Sequence, residues 1–534
     1  MSIEHGPDER EALLDRVSTT SYDLAIIGGG IAGAGIARDA AIRGMDAVLV
    51  ERDDFASGTT AWSTRLIHGG LRYLEQYDFD LVFESLRERE TLAEIAPHLV
   101  DPLTFLIPNY DESLPTRLKL RLGMILYDVL SYGKTMPNHS HLSAAEFLAK
   151  EPALPDAGLQ GGFLYHDRQC EYVERLCLEN VLDAAAHGVD VLNHAESTDI
   201  RTDGGRVTGI TVRETLGETT VDVECDAVVN AAGPWIDRVL EDETGLGLVR
   251  PTKGIHLVVP RLTDHALTLP TRTGDRIVFV VPWIGKSLIG TTDTDFDGDP
   301  AEARAEAADV EYLLTEVGRY FPELDQDDIL YTYAGVRPLY DPGSDADASA
   351  VSRQHEVVDH GGSHAGLFSL VGAKITPYRA AAEDATDAVA GYLGVDAPCL
   401  TDRTPLPGAR GTPLRTADLP PAVLDHLQRL YGRRAKDVMA RIRADERLAE
   451  PLCEHTNDVL AQVTVAVEDE YARTLSDVML RRCTVGYEEC EGLDAVETVA
   501  DHVADLLDWN ADRRAAEIER FEEHVRRRHA YAED

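Results

Sequence analysis

Three glycines near the start of the sequence have the spacing of a turn that cradles a pyrophosphate. Gly28, Gly30 and Gly33 form G-x-G-x-x-G within the stretch YDLAIIGGGIAGAGIARDA. The first glycine of such a motif permits a tight turn, the second lets a phosphate approach the backbone, and the third lets a helix pack closely on a strand. Glu51 follows at the end of the next apolar run, where a carboxylate can bind ribose hydroxyls. These residues predict a dinucleotide bound at a helix N-terminus.

The elements that would position these glycines form a βαβ unit. Residues 22–52 read as strand, Gly-rich turn, helix and strand. Two later segments have a related character. Residues 225–237 contain the apolar run DAVVNAA, which ends at Gly233, and residues 366–379 contain a short apolar run followed by small residues. Because three separated segments would converge on one flat cofactor, the layout favours FAD over NAD.

The remaining segments predict a second sheet and a helical region. Residues 205–214 and the β-branched runs within 254–296, punctuated by Gly and Pro, predict an antiparallel sheet inserted into the cofactor domain. After about residue 400 amphipathic helical spacing dominates, and the Pro-rich stretch 404–421 predicts a linker. The predicted fold class is α/β: a Rossmann-type FAD-binding domain with an inserted antiparallel-sheet substrate domain and a C-terminal helical domain.

The predicted domain division follows from these segments. A cofactor-binding region is predicted for residues 20–400, a linker for 401–421 and a C-terminal helical region for 422–534. The family resemblance set out below implies that the first is a FAD-dependent oxidoreductase region and the last a helical cap domain. Within the first region, the FAD-binding segments are about 20–110, 155–250 and 335–395, and the substrate-domain segments are about 111–154 and 251–334.

The composition is strongly acidic. The formal net charge is −44, and the acids are spread along the whole chain of 534 residues. The cations comprise only 7 Lys against 44 Arg. This balance indicates adaptation to high salt, as in a halophile, where acidic surfaces hold water and Lys is scarce; an ordinary acidic cytosolic protein is the alternative. Nucleic-acid binding is not expected, because a phosphate backbone requires a basic face.

The cysteines and the apolar runs bear on the compartment. The seven cysteines are dispersed and include no C-x-x-C pair, which predicts a reducing cytoplasm with no disulfide framework, no metal and no iron–sulfur or structural zinc site. The first residues, MSIEHGPDEREALLDR, lack the apolar region of a signal peptide. No apolar run reaches the length of about 18 residues that a membrane span needs. A cytoplasmic location is expected, with attachment to the inner face of the membrane left open.

Six motifs, taken in order, resemble a known family. They are the glycine motif at 26–44, LIHGGLRYLE (66–75), NAAGPW (230–235), IGTTDTDF (289–296), YAGVRPL (333–339) and GAKITPYR (372–379). They occur in the order found in FAD-dependent glycerol-3-phosphate dehydrogenases, which are similar in fold to glycine and D-amino-acid oxidases. The resemblance covers nearly the whole chain. It implies oxidation of sn-glycerol 3-phosphate to dihydroxyacetone phosphate, in glycerol catabolism, by hydride transfer from C2 to flavin N5.

The resemblance also implies which residues hold the flavin. Thr59, Thr60 and Ser63 would lie near the diphosphate, and the following stretch would run along the isoalloxazine. The further cofactor-binding residues are Leu66, His68, Gly69, Gly70, Gly233, Gly372, Lys374 and Thr376. Ala373 and Pro377 depart from the family pattern of two glycines and two threonines around Lys374, and Pro377 removes a backbone donor.

A phosphorylated alcohol requires a cationic pocket, and Arg suits it because its planar fork binds phosphate oxygens in pairs. The predicted substrate-binding residues are Arg72, Tyr73, His256, Arg337 and Arg353, and the predicted catalytic residues are His256, Arg337 and Lys374. His256 would accept the hydroxyl proton, and Asp293 could orient a partner. Each cation could instead form a structural ion pair, and His256 could only bind substrate or pack in the core.

The acceptor of the electrons is implied by the family to be membrane quinone. Residues 117–134 combine Arg117, Lys119, Arg121 and Lys134 with large apolar residues, so this stretch could lie on an anionic membrane or form a buried helix. Companion subunits of a membrane-associated complex and a homo-oligomer both stay open. The alternatives are an oxidase that uses O2, an amino-acid oxidase of the same fold, and a non-catalytic flavin-binding subunit. An amino-acid oxidase would favour one carboxylate-binding Arg in an apolar pocket, whereas several cations favour phosphate.

Overall fold

The computed structural model describes residues 7–74, 78–110, 113–240, 247–272, 276–341, 354–416 and 418–532, apart from the side chains of residues 7–9, 72, 73 and 114. Its strands are β1 Ser21–Ile27, β2 Ala47–Val50, β3 Leu66–Ile67, β4 Asp101–Tyr110, β5 Ser140–Leu142, β6 Leu159–Gln169, β7 Asp190–Leu192, β8 Ala195–Asp203, β9 Arg206–Glu214, β10 Thr220–Asn230, β11 Val249–Pro260, β12 Ala266–Pro270, β13 Ile277–Trp283, β14 Lys286–Gly290, β15 Thr294–Asp295, β16 Tyr331–Tyr340, β17 Glu356–Asp359 and β18 Leu367–Val371.

Helices pack around both sheets and form the C-terminal region. They are α1 Pro7–Thr19, α2 Ile31–Ile42, α3 Phe79–Ile95, α4 Leu114–Leu130, α5 Ala144–Lys150, α6 Val173–Ala186, α7 Ile236–Leu240, α8 Ala307–Val317, α9 Tyr378–Leu393, α10 Pro421–Tyr431, α11 Ala435–Ala444, α12 Leu460–Glu468, α13 Leu475–Asp477, α14 Val496–Leu507 and α15 Ala511–Arg527. Within the described part of the chain, no helix is both long enough and apolar enough to cross a bilayer.

The first sheet carries the glycine motif. Its strands run in the order β17-β18-β10-β1-β2-β7, with β9 and β8 added beside β10. From β18 to β7 neighbouring strands are parallel. The central strands β1 and β2 are almost fully buried, as expected where helices cover a parallel sheet. The apolar core on one side includes α2, α6 and α9, so this sheet is the predicted Rossmann-type unit.

The second sheet is almost entirely antiparallel. Its order is β15-β11-β14-β13-β12-β4-β6-β3, with β16 on β11 and β5 on β6, and only β12 and β4 pair in parallel. Together with the C-terminal helices, this arrangement confirms the predicted fold class. The prediction that residues 205–214 belong to the inserted sheet is wrong: β9 pairs antiparallel with β10 and β8 in the first sheet, because its alternating pattern suits an antiparallel edge in either place.

Sheet membership also differs from the predicted segment boundaries. β4 and β6 lie inside the segments 20–110 and 155–250, yet they pair with each other in the second sheet from Asp101↔Gln169 onward. β16 crosses the predicted boundary at residue 335 and pairs with β11 along its whole length. The chain therefore passes between the sheets more often than hydropathy indicates, and the domain division stays a prediction.

The C-terminal helices divide between two cores: α10 and α11 pack in the core of the first sheet, whereas α12 to α15 build a separate core. Buried ion pairs add to the contact with the rest of the chain. Asp54, which follows β2, accepts hydrogen bonds from Arg481 and Arg482. Arg65 forms a bidentate pair with Glu174 at 2.7 and 2.8 Å, and its guanidinium lies over Trp283 and Tyr487.

The predicted linker packs against the first domain, since Leu406 is buried and its N–H donates to the carbonyl oxygen of Ile95 at 2.8 Å.

Candidate active site

A cavity of about 1400 Å³ runs between the two sheets. It is lined by the β1–α2 turn and Glu51, by residues of the segment 57–71 and of the β18–α9 turn, and by His256 and Arg337. A branch reaches α4, where Leu120, Leu122 and Leu126 contribute to its wall. The three chain segments that the sequence predicted to converge on one cofactor therefore do meet in one cavity.

The β1–α2 turn has no room for side chains. Gly28 has φ +108°, and a Cβ there would lie 2.7 Å from the carbonyl oxygen of Ala231. A Cβ on Gly33 would lie 1.9 Å from the carbonyl oxygen of Gly28, so Gly33 supports the turn from behind and does not line the cavity. Gly30 and Gly28 line it. This is the close backbone approach that a pyrophosphate requires.

Glu51 lies at the C-terminal end of β2, where a ribose would be expected. Its carboxylate accepts hydrogen bonds from the backbone N–H groups of Gly29 at 2.6 Å and Asp53 at 2.8 Å. Burial, with a smaller contribution from Asp53, raises the pKa of Glu51 to about 7. At the start of α2, Thr60 Oγ1 accepts from the N–H of Ile31 at 3.1 Å. The cradle, the acid and the helix N-terminus together fit the adenosine diphosphate half of FAD.

The segment from Thr59 to Gly70 crosses the middle of the cavity. Thr59 donates to the carbonyl oxygen of Val336 at 2.5 Å, which ties this segment to β16. The cavity wall includes Thr59, Thr60, Ser63, Leu66, His68 and Gly70. Gly69 does not line it: its N–H donates to Tyr127 Oη at 3.0 Å, and a Cβ there would lie 2.4 Å from Leu86 Cδ2. Gly69 thus permits packing of this segment on α3 and α4.

The β18–α9 turn faces that segment. Gly372, with φ +77°, Lys374 and Thr376 line the cavity, as does Gly233 on the turn after β10. Thr376 Oγ1 accepts from the N–H of His68 at 3.1 Å, which joins the two walls. Pro377 begins α9, so its missing donor lies at a helix start, where no intrahelical partner is needed.

A cluster of charged residues lies at the far end. Arg337 Nη2 donates to Thr291 Oγ1 at 2.9 Å, and its Nη1 lies 3.1 Å from Asp293 Oδ1. Arg276 Nη2 lies 3.4 Å from the other carboxylate oxygen of Asp293. All four side chains belong to residues that line the cavity. Asp293 orients Arg337, a role that the sequence left open for it. Arg276 was not predicted, because an arginine just before an apolar strand has the sequence pattern of an ordinary surface residue.

His256 lies on β11 next to this cluster and is buried. Its Nε2 is 2.9 Å from Thr64 Oγ1, and its ring stacks on Tyr333 at 4.8 Å between centroids. Its Nδ1 is buried and, within the described part of the chain, has no hydrogen-bond partner. Burial, Arg337 and Arg65 lower the pKa of His256 to about 3. The imidazole is therefore neutral at physiological pH and can accept a proton. Thr64 was missed, although it lies within the motif-bearing segment.

Three predicted substrate-binding residues lie wholly or in part outside the described structure. Arg353 lies outside the described residues. Arg72 and Tyr73 belong to a 3-10 turn, Leu71–Leu74, that follows the segment lining the cavity, but their side chains lie outside the described part of the structure. Among the cations predicted for the substrate, Arg337 and Lys374 line the same cavity as His256.

Comparison with known proteins agrees with this geometry. The family described as FAD dependent oxidoreductase matches residues 23–379, and the C-terminal domain of alpha-glycerophosphate oxidase matches residues 399–514. Glycerol-3-phosphate dehydrogenase of Synechocystis sp. is 40% identical over 95% of this chain and 97% of its own length. D-erythritol 1-phosphate dehydrogenase of Brucella abortus is 36% identical over 86% of this chain and 93% of its own length.

Among solved structures, the glycerol-3-phosphate dehydrogenase of Bacillus halodurans complexed with FAD has a TM-score of 0.78 at 29% identity, covering 98% of both chains. The fold and the glycine-cradled cavity define a FAD-dependent oxidoreductase. Within that class, the chain belongs to the FAD-dependent glycerol-3-phosphate dehydrogenase family. The predicted family and the predicted FAD cofactor are thereby confirmed.

Proposed function

We propose that this protein oxidises sn-glycerol 3-phosphate to dihydroxyacetone phosphate and passes the electrons to a membrane quinone, in glycerol catabolism. One observation carries the proposal: a neutral buried histidine and an arginine cluster lie in the same cavity as the glycine cradle for FAD. FAD, when bound, supplies the acceptor for the hydride that leaves C2 of the alcohol. The chain itself must bind the phosphate, orient the alcohol and accept its proton.

The phosphate is the group that Arg337 and Arg276 are suited to hold. Asp293 lies between them and offsets part of their charge, so a dianion arriving here would meet two oriented guanidinium forks. Charge-assisted bonds from Arg to phosphate oxygens are short and often bidentate. Lys374 on the opposite wall adds a further positive charge. An amino-acid substrate would need one carboxylate-binding cation, whereas several cations favour a phosphoester.

The hydroxyl proton is the group that His256 is suited to accept. Its imidazole is held neutral, and its Nδ1 has no hydrogen-bond partner among the residues that the structure describes. Thr64 and the ring of Tyr333 fix the orientation of the imidazole. Burial is the main cause of the low pKa of His256, and Arg337 adds to it; a phosphate dianion bound at Arg337 would offset that smaller contribution and strengthen the base in part as substrate binds. Proton acceptance is thereby coupled to occupation of the phosphate subsite.

The quinone proposal is supported by an exposed apolar face next to the cavity. Along α4 and the residues that follow it, Leu118, Leu122, Ile125, Val129 and Tyr132 are 46 to 98% exposed at helical spacing. Phe79 and Phe83 on α3 are also exposed, at 40 and 55%. Leu122 and Phe79 line the cavity as well. An apolar acceptor dissolved in a bilayer could therefore enter from the membrane side, with Arg121 and Lys119 near the headgroups.

A second candidate is an oxidase that reduces O2 to peroxide at the same site. It is favoured by the match of residues 399–514 to the C-terminal domain of alpha-glycerophosphate oxidase. A non-catalytic flavin-binding subunit, alone or with companion subunits, would keep the glycine cradle but would have no need for the neutral His256 beside an arginine cluster.

The test is anaerobic reduction of the FAD-loaded protein, followed by the flavin absorbance. We expect bleaching by glycerol 3-phosphate, much slower bleaching by D-erythritol 1-phosphate, and none by glycerol, which lacks the phosphate. No bleaching by glycerol 3-phosphate with FAD correctly bound would refute the proposed function. Reoxidation then separates the acceptors: fast reoxidation by a quinone analogue with little peroxide supports a dehydrogenase, whereas stoichiometric peroxide in air supports the oxidase.

A further inference from the structure

We propose that a second site, formed by Cys453, His455, Cys490 and Asp494 in the C-terminal helical region, binds a divalent cation of the zinc type. None of these residues lines the FAD cavity, and the proposal is independent of the reaction catalysed there. We call the four residues the two-thiol cluster. The sequence predicted no structural zinc site, because its cysteines are dispersed, so the cluster exists only through the fold.

Three donor atoms of the two-thiol cluster lie close enough to share one ion, and the fourth, Cys453 Sγ, lies beside Cys490 Sγ and would move toward the others to complete a tetrahedron. The two Sγ atoms are 3.9 Å apart, and His455 Nε2 is 3.2 Å from Asp494 Oδ2. The donor atoms of His455, Cys490 and Asp494 all lie within 4.8 Å of one another. With Zn–S of about 2.3 Å and Zn–N or Zn–O of about 2.0–2.1 Å, tetrahedral geometry requires a sulfur–sulfur edge of about 3.8 Å and a nitrogen–oxygen edge of about 3.3 Å.

Two turns present these donors to each other. Cys453 and His455 lie on the loop before α12, which is closed by the N–H of Leu452 donating to the carbonyl oxygen of Asp458 at 3.0 Å. Cys490 and Asp494 lie on the turns before α14, where the N–H of Leu493 donates to the carbonyl oxygen of Cys490 at 2.9 Å. Each turn supplies one thiol and one further ligand, so a bound cation would cross-link the two.

The chemistry of the donors selects the kind of cation. Two thiols and an imidazole favour a borderline or soft ion such as Zn²⁺ over Mg²⁺ or Ca²⁺, which prefer oxygen ligands. A backbone N–H from His455 also bonds to the Cys453 sulfur and helps to fix its position. The thiols are half-buried while His455 and Asp494 are exposed, so the cluster is open to ions from solvent. The carboxylate of Glu454, 3.8 Å from His455 Nε2, adds negative charge.

Zinc is bound by thiolates rather than thiols, so binding of the ion would release the thiol protons. The alternative to metal binding is a disulfide between Cys453 and Cys490. It would require the sulfurs to approach from 3.9 Å to about 2.05 Å.

The experiment uses the full-length FAD-loaded protein, prepared reduced and metal-free, and titrates it with Zn²⁺ against a chromophoric chelator. We expect about one ion per chain and an increase in the dissociation constant of about 100-fold or more in Cys490→Ser and in Asp494→Asn. Cys399→Ser is the matched control, because Cys399 is also half-buried but bonds to Thr401 and Arg379. It should bind zinc as the unaltered protein does.

Two further measurements test whether the two thiols and Asp494 bind the ion. Co²⁺ in place of Zn²⁺ should give a thiolate-to-metal charge-transfer band that weakens in Cys453→Ser and Cys490→Ser and persists in Cys399→Ser. Asp494 is exposed, so Asp494→Asn should fold even if a cysteine variant does not. Zinc binding that is weak, or equally strong in all variants, would overturn the proposal. So would a Cys453–Cys490 disulfide, found by peptide mass mapping, that survives the reducing treatment and excludes the ion.

Discussion

His256 is the residue on which proton transfer depends. Replacement by Gln keeps a polar side chain of similar size but removes the base, so the rate of flavin reduction at saturating substrate should fall by about 10²–10⁴-fold. The FAD spectrum should be unchanged, because His256 lies on β11, away from the glycine cradle. Stopped-flow reduction measures this. His364→Gln, at a half-buried position that does not line the cavity, is the control, and equal rates in the two variants would remove His256 from the mechanism.

The low pKa of His256 makes a prediction for the free enzyme. Because burial, Arg337 and Arg65 lower this pKa to about 3, the imidazole is already neutral at pH 5 and stays neutral up to pH 8. After correction for the ionisation of the substrate phosphate, kcat/KM should show no break near pH 6.5, since kcat/KM reports the groups of the free enzyme. A break near 6.5 that disappears in His256→Gln would mean that the histidine titrates normally.

Arg337 is the residue on which recognition of the phosphate depends. Arg337→Ala removes the fork held by Thr291 and Asp293, and the loss of a charged hydrogen-bonding partner is worth about 1.5–3 kcal/mol. We expect kcat/KM for glycerol 3-phosphate to fall by roughly 10- to 100-fold, with FAD still bound. Arg319→Ala, at an exposed arginine, should leave kcat/KM unchanged. A normal kcat/KM in Arg337→Ala would refute its role.

Residues of this site differed in how far the sequence could predict them. Gly28 and Glu51 were predictable because a local turn and a strand end determine their positions. Arg276 and Thr64 were not, because their roles depend on which strands pair: Arg276 reaches Asp293 across the β13–β14 region, and Thr64 reaches His256 on β11. The same holds for Cys453 and Cys490, which are brought together by two loops. Side-chain clusters formed by long-range pairing carry no local signal.

At the scale of elements, the proposed membrane contact of α4 can be tested by changing its exposed apolar face. Val129→Glu places a charge on a side chain that is 63% exposed, so folding should be little affected. Insertion of that face into a bilayer should become unfavourable, because charged side chains partition poorly into apolar surroundings. We expect weaker binding to anionic lipid vesicles and slower reduction of a long-chain quinone, with unchanged reduction of a soluble dye. Leu400→Glu, at another exposed leucine (36%), should change none of these, and equal vesicle binding in both variants would contradict a membrane role for α4.

The contact between the segment after β2 and the C-terminal helices is the second element-scale feature to test. Asp54→Asn would leave Arg481 and Arg482 buried without their shared carboxylate. Breaking a buried pair on one side costs about 3–5 kcal/mol, and we expect this loss in the free energy of unfolding. Asp501→Asn removes an exposed partner of Arg514 and should cost less than about 1 kcal/mol. Denaturant unfolding of both FAD-loaded variants checks this, and equal losses would contradict a special role for Asp54.

Element types were more predictable than sheet membership. The βαβ unit at 22–52 was determined by a local pattern, apolar runs around a glycine turn, and the structure has the predicted strand, helix and strand there. The alternating apolar pattern of β9 is compatible with either sheet. Its hydrogen bonds to β8 and β10 place it in the first sheet. β4 and β6 likewise join the second sheet because β4 pairs with β12 on one side and with β6 on the other. Hydropathy indicates which face is buried but not which neighbour buries it.

At the scale of the whole molecule, the net charge of −44 predicts how stability responds to salt. Salt has two opposing effects on such a chain. It weakens exposed ion pairs such as Arg514 with Glu497 and Asp501, each worth about 0–1 kcal/mol. It also screens repulsion among the acids, of which there are 95 against 51 Lys and Arg. Because most of the excess acids have no cation to pair with, relief of repulsion should dominate.

We therefore expect the thermal midpoint of the FAD-loaded protein to rise by several degrees as KCl increases from 0.1 to 1 M, over which the Debye length falls from about 10 to about 3 Å. Most of the rise should come below 1 M, since screening is nearly complete by then. Scanning calorimetry measures it, and sucrose at matched osmolality controls for water activity. A midpoint that falls with KCl would mean that the ion pairs outweigh the repulsion and that the acidic composition is not an adaptation to high salt. A continued rise well above 1 M would indicate hydration of the carboxylates rather than screening.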